Sequence, residues 1–192
     1  SSNILELGQY NGKQQGMPYS ISNPVLYYNP EIFKQAGLDP NRGPKTWDEV
    51  EAFAKQIKEK ANVYGISIQE PPDSWAQEAM MFSNGAKVLV ENGGKFSTDV
   101  NLPEAIESMS RYATMVKNQT ALHTGYEEGF QAVVSGKVAM HIGSIARQSA
   151  IGKNAKFKAG AESFPTYGSK KRVVPAGGNN LFVFAKDTEQ QQ

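Results

Sequence analysis

Short β-prone apolar runs alternate along this chain with segments whose apolar residues recur at helical spacing. A helix buries its apolar stripe only by packing on another element, so the alternation restricts the chain to helices layered on a sheet. The sequence therefore predicts a layered α/β domain. The predicted strands include residues 25–28, 63–68, 138–142 and 181–185, with a hairpin over 87–97, and the predicted helices are 30–36, 46–60, 74–82, 102–117, 124–136 and 145–151.

Two of the predicted helices begin with a capping box, in which a Thr is followed three residues later by a Glu. The hydroxyl and the carboxylate each accept a hydrogen bond from a backbone N–H that the helix leaves unpaired. The pairs are Thr46 with Glu49 and Thr124 with Glu127. Trp47 follows the first cap on the apolar side of its helix, which predicts a core position. In the helix over 102–117, the predicted buried stripe is Leu102, Ile106, Met109, Ala113 and Val116.

The composition excludes several kinds of function. The 192 residues carry 20 Lys and Arg and 19 Asp and Glu, a formal net charge of +1. This balance lacks the basic surplus of a nucleic-acid binder, so no nucleic-acid partner is expected. Cysteine is absent, which excludes disulfides, thiolate catalysis and iron–sulfur clusters. With two histidines far apart in the sequence, no metal site is expected, and no cofactor is implied.

Six stretches, taken in order, resemble a known family. Their order and spacing carry the resemblance, which covers nearly the whole chain. They are YNGKQQGMPY (10–19), PVLYYN (24–29), FKQAGL (33–38), PKTWDE (44–49), FQAVVSGKVAM (130–140) and AGGNN (176–180). The series resembles the extracellular solute-binding proteins of ABC importers, in the branch that includes maltose-, oligosaccharide- and glycerol-3-phosphate-binding proteins.

The resemblance implies a two-lobed receptor, about twice as long as this chain, that closes on a solute and delivers it to a membrane permease. The chain would be one lobe of a type II periplasmic-binding-protein fold, with a mixed sheet flanked by helices. Residues 1–18 would end the first lobe and cross over, 19–178 would form the C-terminal lobe, and 179–192 would cross back.

The function implied by the resemblance is binding without catalysis. The expected solute is a carbohydrate or a glycerol-phosphate-like compound, and the expected protein partner is an ABC permease. The expected location is extracytoplasmic, either the periplasm or the cell surface as a lipoprotein. Because the solute would lie between two lobes, this chain alone is expected to bind it weakly.

Candidate ligand-binding residues lie on loops at one edge of the sheet, where the family holds its solute. Gly143 allows a close approach, and Ser144 offers a hydroxyl beside the unpaired N–H groups of a helix start. Trp75 offers an aromatic face to the apolar side of a sugar. Each has a second interpretation, because Ser144 fits a plain helix cap and Trp75 an ordinary core residue. Arg147 fits either a support for an anionic ligand or a solvated helix arginine.

A second group of candidates lies near the two interlobe crossovers. Gly177 and Gly178 allow the backbone to approach a ligand or to bend sharply, and Asn179 follows them. Ser22 and Asn23 resemble the first crossover into this lobe and supply short polar groups. All five are predicted to bind ligand on the strength of the resemblance.

Two further patterns have structural explanations that we favour over functional ones. Tyr27 and Tyr28 are adjacent, as in some iron-binding periplasmic receptors, but they lie in a predicted strand, which favours packing. His123, Glu127 and Glu128 could form a metal or acid–base cluster, although Glu127 is already used in a predicted cap.

Two other functions remain open. One is a self-associating interaction domain, because loss of a partner lobe would expose surface that it normally covers. The other is a hydrolase that uses a pair of carboxylates, which must converge on one cleft. The acidic residues lie mostly at helix starts and on exposed faces, which disfavours the hydrolase.

Overall fold

The computed structural model describes residues 2–69, 74–98 and 100–184 and divides the chain into two compact units. The smaller unit combines the residues up to Asn23 with those from Ala176 onward, and the larger unit is Pro24–Pro175. The resemblance places the corresponding boundaries at 18/19 and 178/179. The predicted loop at 71–73 and the end of the predicted strand at Ala185 lie outside the described residues.

Helices and strands alternate along the chain as the sequence predicts. The helices are α1 (Ser2–Leu5), α2 (Pro30–Gln35), α3 (Trp47–Ala61), α4 (Trp75–Asn84), α5 (Pro103–Lys117), α6 (Tyr126–Val134) and α7 (Gln148–Asn154), with 3₁₀ turns at Glu6–Gly8 and Ile145–Arg147. The strands are β1 (Gln9–Tyr10), β2 (Lys13–Gln14), β3 (Met17–Ser22), β4 (Pro24–Tyr28), β5 (Tyr64–Gln69), β6 (Val90–Asn92), β7 (Lys95–Ser97), β8 (Ala121–Thr124), β9 (Val138–Ser144), β10 (Gly160–Ser163) and β11 (Gly177–Leu181).

The central sheet of the larger unit has five strands in the order β10-β4-β9-β5-β8. β5, β8 and β9 run parallel, whereas β4 is antiparallel to both of its neighbours, β9 and β10. The predicted mixed sheet flanked by helices is therefore confirmed. The carboxyl ends of β5, β8, β9 and β10 lie at one edge, where β4 begins. We call this the carboxyl edge.

One face of the sheet packs against α3 and α4 and carries most of the core. Alternate side chains along a strand point to the same face, so each strand contributes every second residue. The strand residues buried in this core include Leu26, Tyr28, Ile66, Ile68, Ala121, Met140 and Ile142. The other face packs on α6 and α7 through Tyr27, Phe130, Val133 and Ile151.

The two adjacent tyrosines of β4 therefore point to opposite faces. Tyr28 packs on Phe33, with ring centroids 4.8 Å apart, whereas Tyr27 belongs to the cluster on the other face. Both tyrosines are buried. Their separation confirms the packing interpretation, because side chains on opposite faces do not converge on one metal ion.

Trp47 anchors α3 in the core as predicted. Its side chain is 1% exposed, and its ring lies edge-on to Phe164 with centroids 5.6 Å apart. Its backbone N–H donates to the carbonyl of Thr166 at 2.9 Å. The predicted cap before it is confirmed, since Thr46 Oγ1 accepts the N–H of Glu49 at 3.2 Å.

The predicted cap on α6 is wrong. Thr124 is the last residue of β8 and pairs with Gln69 of β5, so it cannot also cap the helix. Gly125 takes the cap position, and α6 begins at Tyr126. A strand that must complete its pairing has overridden a local capping pattern. Glu127 consequently faces a different partner, Arg147.

The predicted buried stripe of α5 is also wrong in part. Its buried residues are Ala105, Ser108 and Met115, whereas Ile106 is 55% exposed and Leu102 36% exposed. Ser108 Oγ donates to the carbonyl of Glu104 at 2.8 Å, so its hydroxyl is satisfied inside the helix. Small residues face α4 and allow close packing, which the apolar pattern alone does not reveal.

The smaller unit holds the paired strands β3 and β11. They are antiparallel, with Gly177 opposite Ser22 and an irregularity between Asn179 and Asn180. The final strand thus begins earlier than predicted and, within the described residues, ends at Leu181. Across residues 2–69, 74–98 and 100–184, no helix combines the length and apolarity needed to span a membrane.

Candidate functional site

The central strand β9 ends at the carboxyl edge with Gly143 and Ser144. Pro24 pairs with Ser144 and Val25 with Gly143, so the start of β4 lies alongside. Gly143 is required sterically, because a Cβ there would lie 2.7 Å from Nε2 of His141. Gly143 is buried and Ser144 is half-buried. Ser144 is therefore the residue that presents polar groups at the carboxyl edge.

Two tyrosines hold the backbone of Ser144. Tyr27 Oη donates to its carbonyl at 2.9 Å, and its own N–H donates to Tyr126 Oη at 3.4 Å. Burial, and then the nearby Tyr126, raise the pKa of Tyr27 to about 12, so its hydroxyl keeps the donated proton. The position of Ser144 is thus set from β4 and from α6 together.

The Ser144 hydroxyl serves as a cap and retains a donor. Its Oγ accepts the N–H of Ala146 at 3.1 Å at the start of the 3₁₀ turn. A hydroxyl also carries one proton, which this bond does not use. The cap interpretation is therefore confirmed, and it leaves the O–H able to donate to a ligand.

Arg147 is a partly exposed cation with an ion-pair partner. Its Nη2 lies 2.7 Å from Oε2 of Glu127, and its guanidinium carbon lies 5.0 Å from the ring centroids of Tyr126 and Phe130. Stacking on two rings orients the guanidinium. The ion pair balances its charge beside the Ser144 site.

Trp75 opens α4 and is half-buried. The start of α4 is tied to the end of β5, because Gln77 Nε2 donates to the carbonyl of Gln69. This places Trp75 near the carboxyl edge, on the same unit as Ser144. Partial exposure leaves one part of the indole to pack and another part for contact with a ligand.

The other five candidates lie in the smaller unit, where all but Asn23 belong to one strand pair. Gly177 pairs with Ser22, and Asn179 Nδ2 lies 3.3 Å from Ser20 Oγ. Gly178 has φ +141°, and a Cβ there would overlap the carbonyl of Ser20. Gly178 therefore has a structural requirement. A cavity of about 150 Å³ is lined by residues 177–180 and by parts of β3.

His141 lies directly beneath Gly143 and is 1% exposed. Burial, and secondly the positive charge of Arg147, lower the pKa of His141 from 6.5 to about 4. The imidazole is therefore neutral near pH 7. Its Nδ1 lies 2.8 Å from Oγ of Ser67.

Acid is expected to destabilise the chain through His141. Between pH 6.5 and about 4, the unfolded chain protonates this residue and the folded chain does not. The free energy of unfolding should therefore fall by about 3 kcal/mol from pH 7 to pH 4 on account of this group. Urea unfolding at a series of pH values, compared with His141→Gln, isolates the effect because glutamine takes no proton. Parallel pH curves for the two proteins would contradict it.

The structure brings together Gly143 and Ser144 at one strand end, and Ser22 with Gly177, Gly178 and Asn179 in one strand pair. Sequence reasoning missed Tyr126, which contacts Ser144 and stacks with Arg147. Tyr126 follows a parallel strand almost directly, and that position could have indicated its role, because such positions line the ligand edge of open sheets. Within residues 2–69, 74–98 and 100–184, no group of three His, Asp or Glu side chains could hold a metal ion.

A family model described as bacterial extracellular solute-binding protein matches residues 1–192. The chain belongs to this family. It is 30% identical over 197 residues to the sn-glycerol-3-phosphate-binding periplasmic protein UgpB of Escherichia coli K12, covering 95% of this chain and 44% of that protein. It is 33% identical over 187 residues to UgpB of Brucella abortus, covering 94% and 43%. The chain thus spans less than half the length of these curated relatives.

Two solved binding proteins share the fold. UgpB of Mycobacterium tuberculosis in complex with glycerophosphocholine superposes with a TM-score of 0.87 at 23% identity, over 100% of this chain and 50% of that one. The cyclic α-maltosyl-1,6-maltose binding protein of Arthrobacter globiformis gives 0.84 at 21% identity, over 97% and 48%. The predicted lobe of a type II periplasmic-binding-protein fold is confirmed.

Proposed function

We propose that this family member is one lobe of the solute-binding component of an ABC import system, which captures a solute between two lobes. The observation that carries the proposal is the match of the whole chain to the solute-binding family. The chain covers 44% and 43% of the two UgpB relatives, which supports the proposal that it is about half of a receptor. The carboxyl edge is the part of this lobe that would face the solute.

The contacts at this edge suit binding without covalent chemistry. Ser144 can donate its hydroxyl proton. Gly143, whose side-chain space is filled by His141, would contribute only its backbone at the strand end. Trp75 would pack its indole on an apolar face of the solute, as aromatic rings do with sugars. The smaller unit holds five further residues that we propose as ligand-binding: Gly177, Gly178, Asn179, Ser22 and Asn23. We therefore assign no catalytic role to any residue and require no cofactor.

The proposed solute is a carbohydrate or a glycerol-phosphate-like compound. Two relatives are named for sn-glycerol 3-phosphate, and one solved neighbour was crystallised with glycerophosphocholine. Another neighbour is named for a cyclic maltosyl sugar. These compounds share closely spaced hydroxyl or phosphate oxygens, which a serine hydroxyl such as that of Ser144 can meet as a donor.

The rest of the proposal concerns location and partners. The family description is extracellular and the named relatives are periplasmic, which supports an extracytoplasmic protein, in the periplasm or as a surface lipoprotein. The partner that receives the solute would be an ABC permease.

Self-association of the isolated chain is a second proposal, favoured by one observation. The smaller unit exposes several large apolar side chains: Tyr10 71%, Tyr19 72%, Leu181 58%, Phe182 51%, Val183 65% and Phe184 88%. Apolar surface of this kind tends to be covered by another protein surface. Without its other lobe, the chain would cover it by pairing with a second copy.

Removing the Ser144 hydroxyl is expected to weaken solute binding about tenfold, because one donor to the solute is lost. The measurement is calorimetric titration of the complete two-lobed protein with glycerol 3-phosphate, glycerophosphocholine and maltose. Ser169→Ala is the matched control, since Ser169 is exposed on a different loop. Equal affinities for Ser144→Ala and the control would remove Ser144 from the site, and no binding of any compound in this panel would refute the proposed solute class.

A further inference from the structure

His141 lies in a row of side chains that crosses the sheet. In register it stands opposite Tyr27 of β4 on one side and Ser67 of β5 on the other. Its Nδ1 is 2.8 Å from Ser67 Oγ, a hydrogen bond between two buried groups. With an exposure of 1%, the imidazole can influence the surface only through the residues that it supports.

The imidazole fills the side-chain space of two glycines. A Cβ on Gly129 of α6 would lie 3.3 Å from Cε1 of His141. A Cβ on Gly143 would lie 2.7 Å from Nε2 and 2.9 Å from Cδ2, closer than packed atoms approach. The ring therefore stands where a side chain of residue 143 would stand, and it supports that backbone from one side.

The end of the ring that meets Gly143 makes no hydrogen bond. Nε2 of His141 has no partner among the described residues, although it is fully buried. A buried polar atom without a partner costs free energy, so stability alone does not explain a histidine here. The tyrosines that hold Ser144 both adjoin the ring: Tyr27 is its neighbour in register, and the ring centroid of Tyr126 is 6.3 Å away.

We propose that His141 is the positioning residue of the solute site, because the Nε2 end of its imidazole holds Gly143 where Ser144 can meet the solute. His141 touches no solute itself, and its effect passes through Gly143 and the two tyrosines. The inference rests on the proposed function for its consequence in binding. The positioning of Ser144 can be measured without any solute.

Two substitutions test the roles of the two ends of the imidazole separately. In His141→Asn the amide reaches the place of Nδ1 and can still bond Ser67, whereas the Nε2 end is missing. In His141→Gln the amide reaches the place of Nε2 and supports Gly143. We expect the amide NMR signal of Ser144 in the solute-free chain to move in His141→Asn and to stay near its wild-type position in His141→Gln.

The decisive variant adds a methyl group to the vacated space. Gly143→Ala alone should displace Ser144, because the new Cβ meets Nε2. Combined with His141→Ala, which removes both Nε2 and Cδ2, the same change should return the Ser144 signal toward its wild-type position. Ser67→Ala is the matched control, since it removes the Nδ1 bond and leaves the Nε2 end in place. Failure of the double variant to restore the signal would overturn the proposal.

Binding is then measured on the complete two-lobed protein with glycerol 3-phosphate. His141→Asn is expected to weaken affinity about tenfold, and the double variant to recover most of that loss. Urea unfolding of every variant gives its stability for comparison with its affinity. If the affinity falls only in proportion to the stability, the role of His141 is purely structural and the proposal is refuted. If the wild-type protein binds no solute, the proposed function fails, while the solute-free spectra still decide the role of His141.

Discussion

Trp47→Ala is expected to lower the free energy of unfolding by about 3–5 kcal/mol, the cost of removing a buried tryptophan. The indole is 1% exposed and packs on Phe164 and Tyr167, with centroids 5.6 Å and 6.3 Å away. Its Nε1 has no hydrogen-bond partner among the described residues, so the loss comes from packing alone. Urea unfolding followed by circular dichroism measures the change without relying on tryptophan fluorescence.

The second tryptophan supplies the control for this prediction. Trp75 is half-buried at the start of α4, so Trp75→Ala should cost less than half as much stability. In the complete protein the same change should weaken solute binding, whereas Trp47→Ala should leave the affinity of the folded fraction unchanged. If the two variants lose equal stability, Trp47 does not hold the core together in the way that its burial indicates.

The sequence predicts the elements of this fold well because they depend on short-range patterns. β-prone runs and helical periodicity place β4, β5, β9 and α3 within a residue or two, and the cap at Thr46 is local chemistry. Failures occur where a distant partner decides. Thr124 pairs with Gln69 and therefore does not cap α6, and no local pattern near α6 reveals this contact.

In the candidate site too, local patterns predict some residues and long-range pairing decides the others. Gly143 and Ser144 were predictable because a strand running into a helix is a local pattern. Tyr126 and His141 were not singled out, since their importance depends on the strand order that sets β9 between β4 and β5. The hydrogen bond between Ser67 and His141 joins residues 74 positions apart in the sequence.

The isolated 192-residue chain is expected to bind solute at least about 100-fold more weakly than the complete two-lobed protein. A solute held between two lobes loses one set of contacts when one lobe is removed, and a 100-fold loss corresponds to about 2.7 kcal/mol. The loss of closure also leaves the solute exposed to water. Light scattering on the same samples controls for self-association, because a dimer could bury the carboxyl edge and weaken binding for a different reason.

The most direct test is calorimetric titration of both proteins with glycerol 3-phosphate, glycerophosphocholine and maltose under identical conditions. We predict measurable affinity for at least one of these in the complete protein, and little or no heat in the monomeric isolated chain. Micromolar binding by the isolated chain, equal to that of the complete protein, would contradict the account of this chain as half of a solute site.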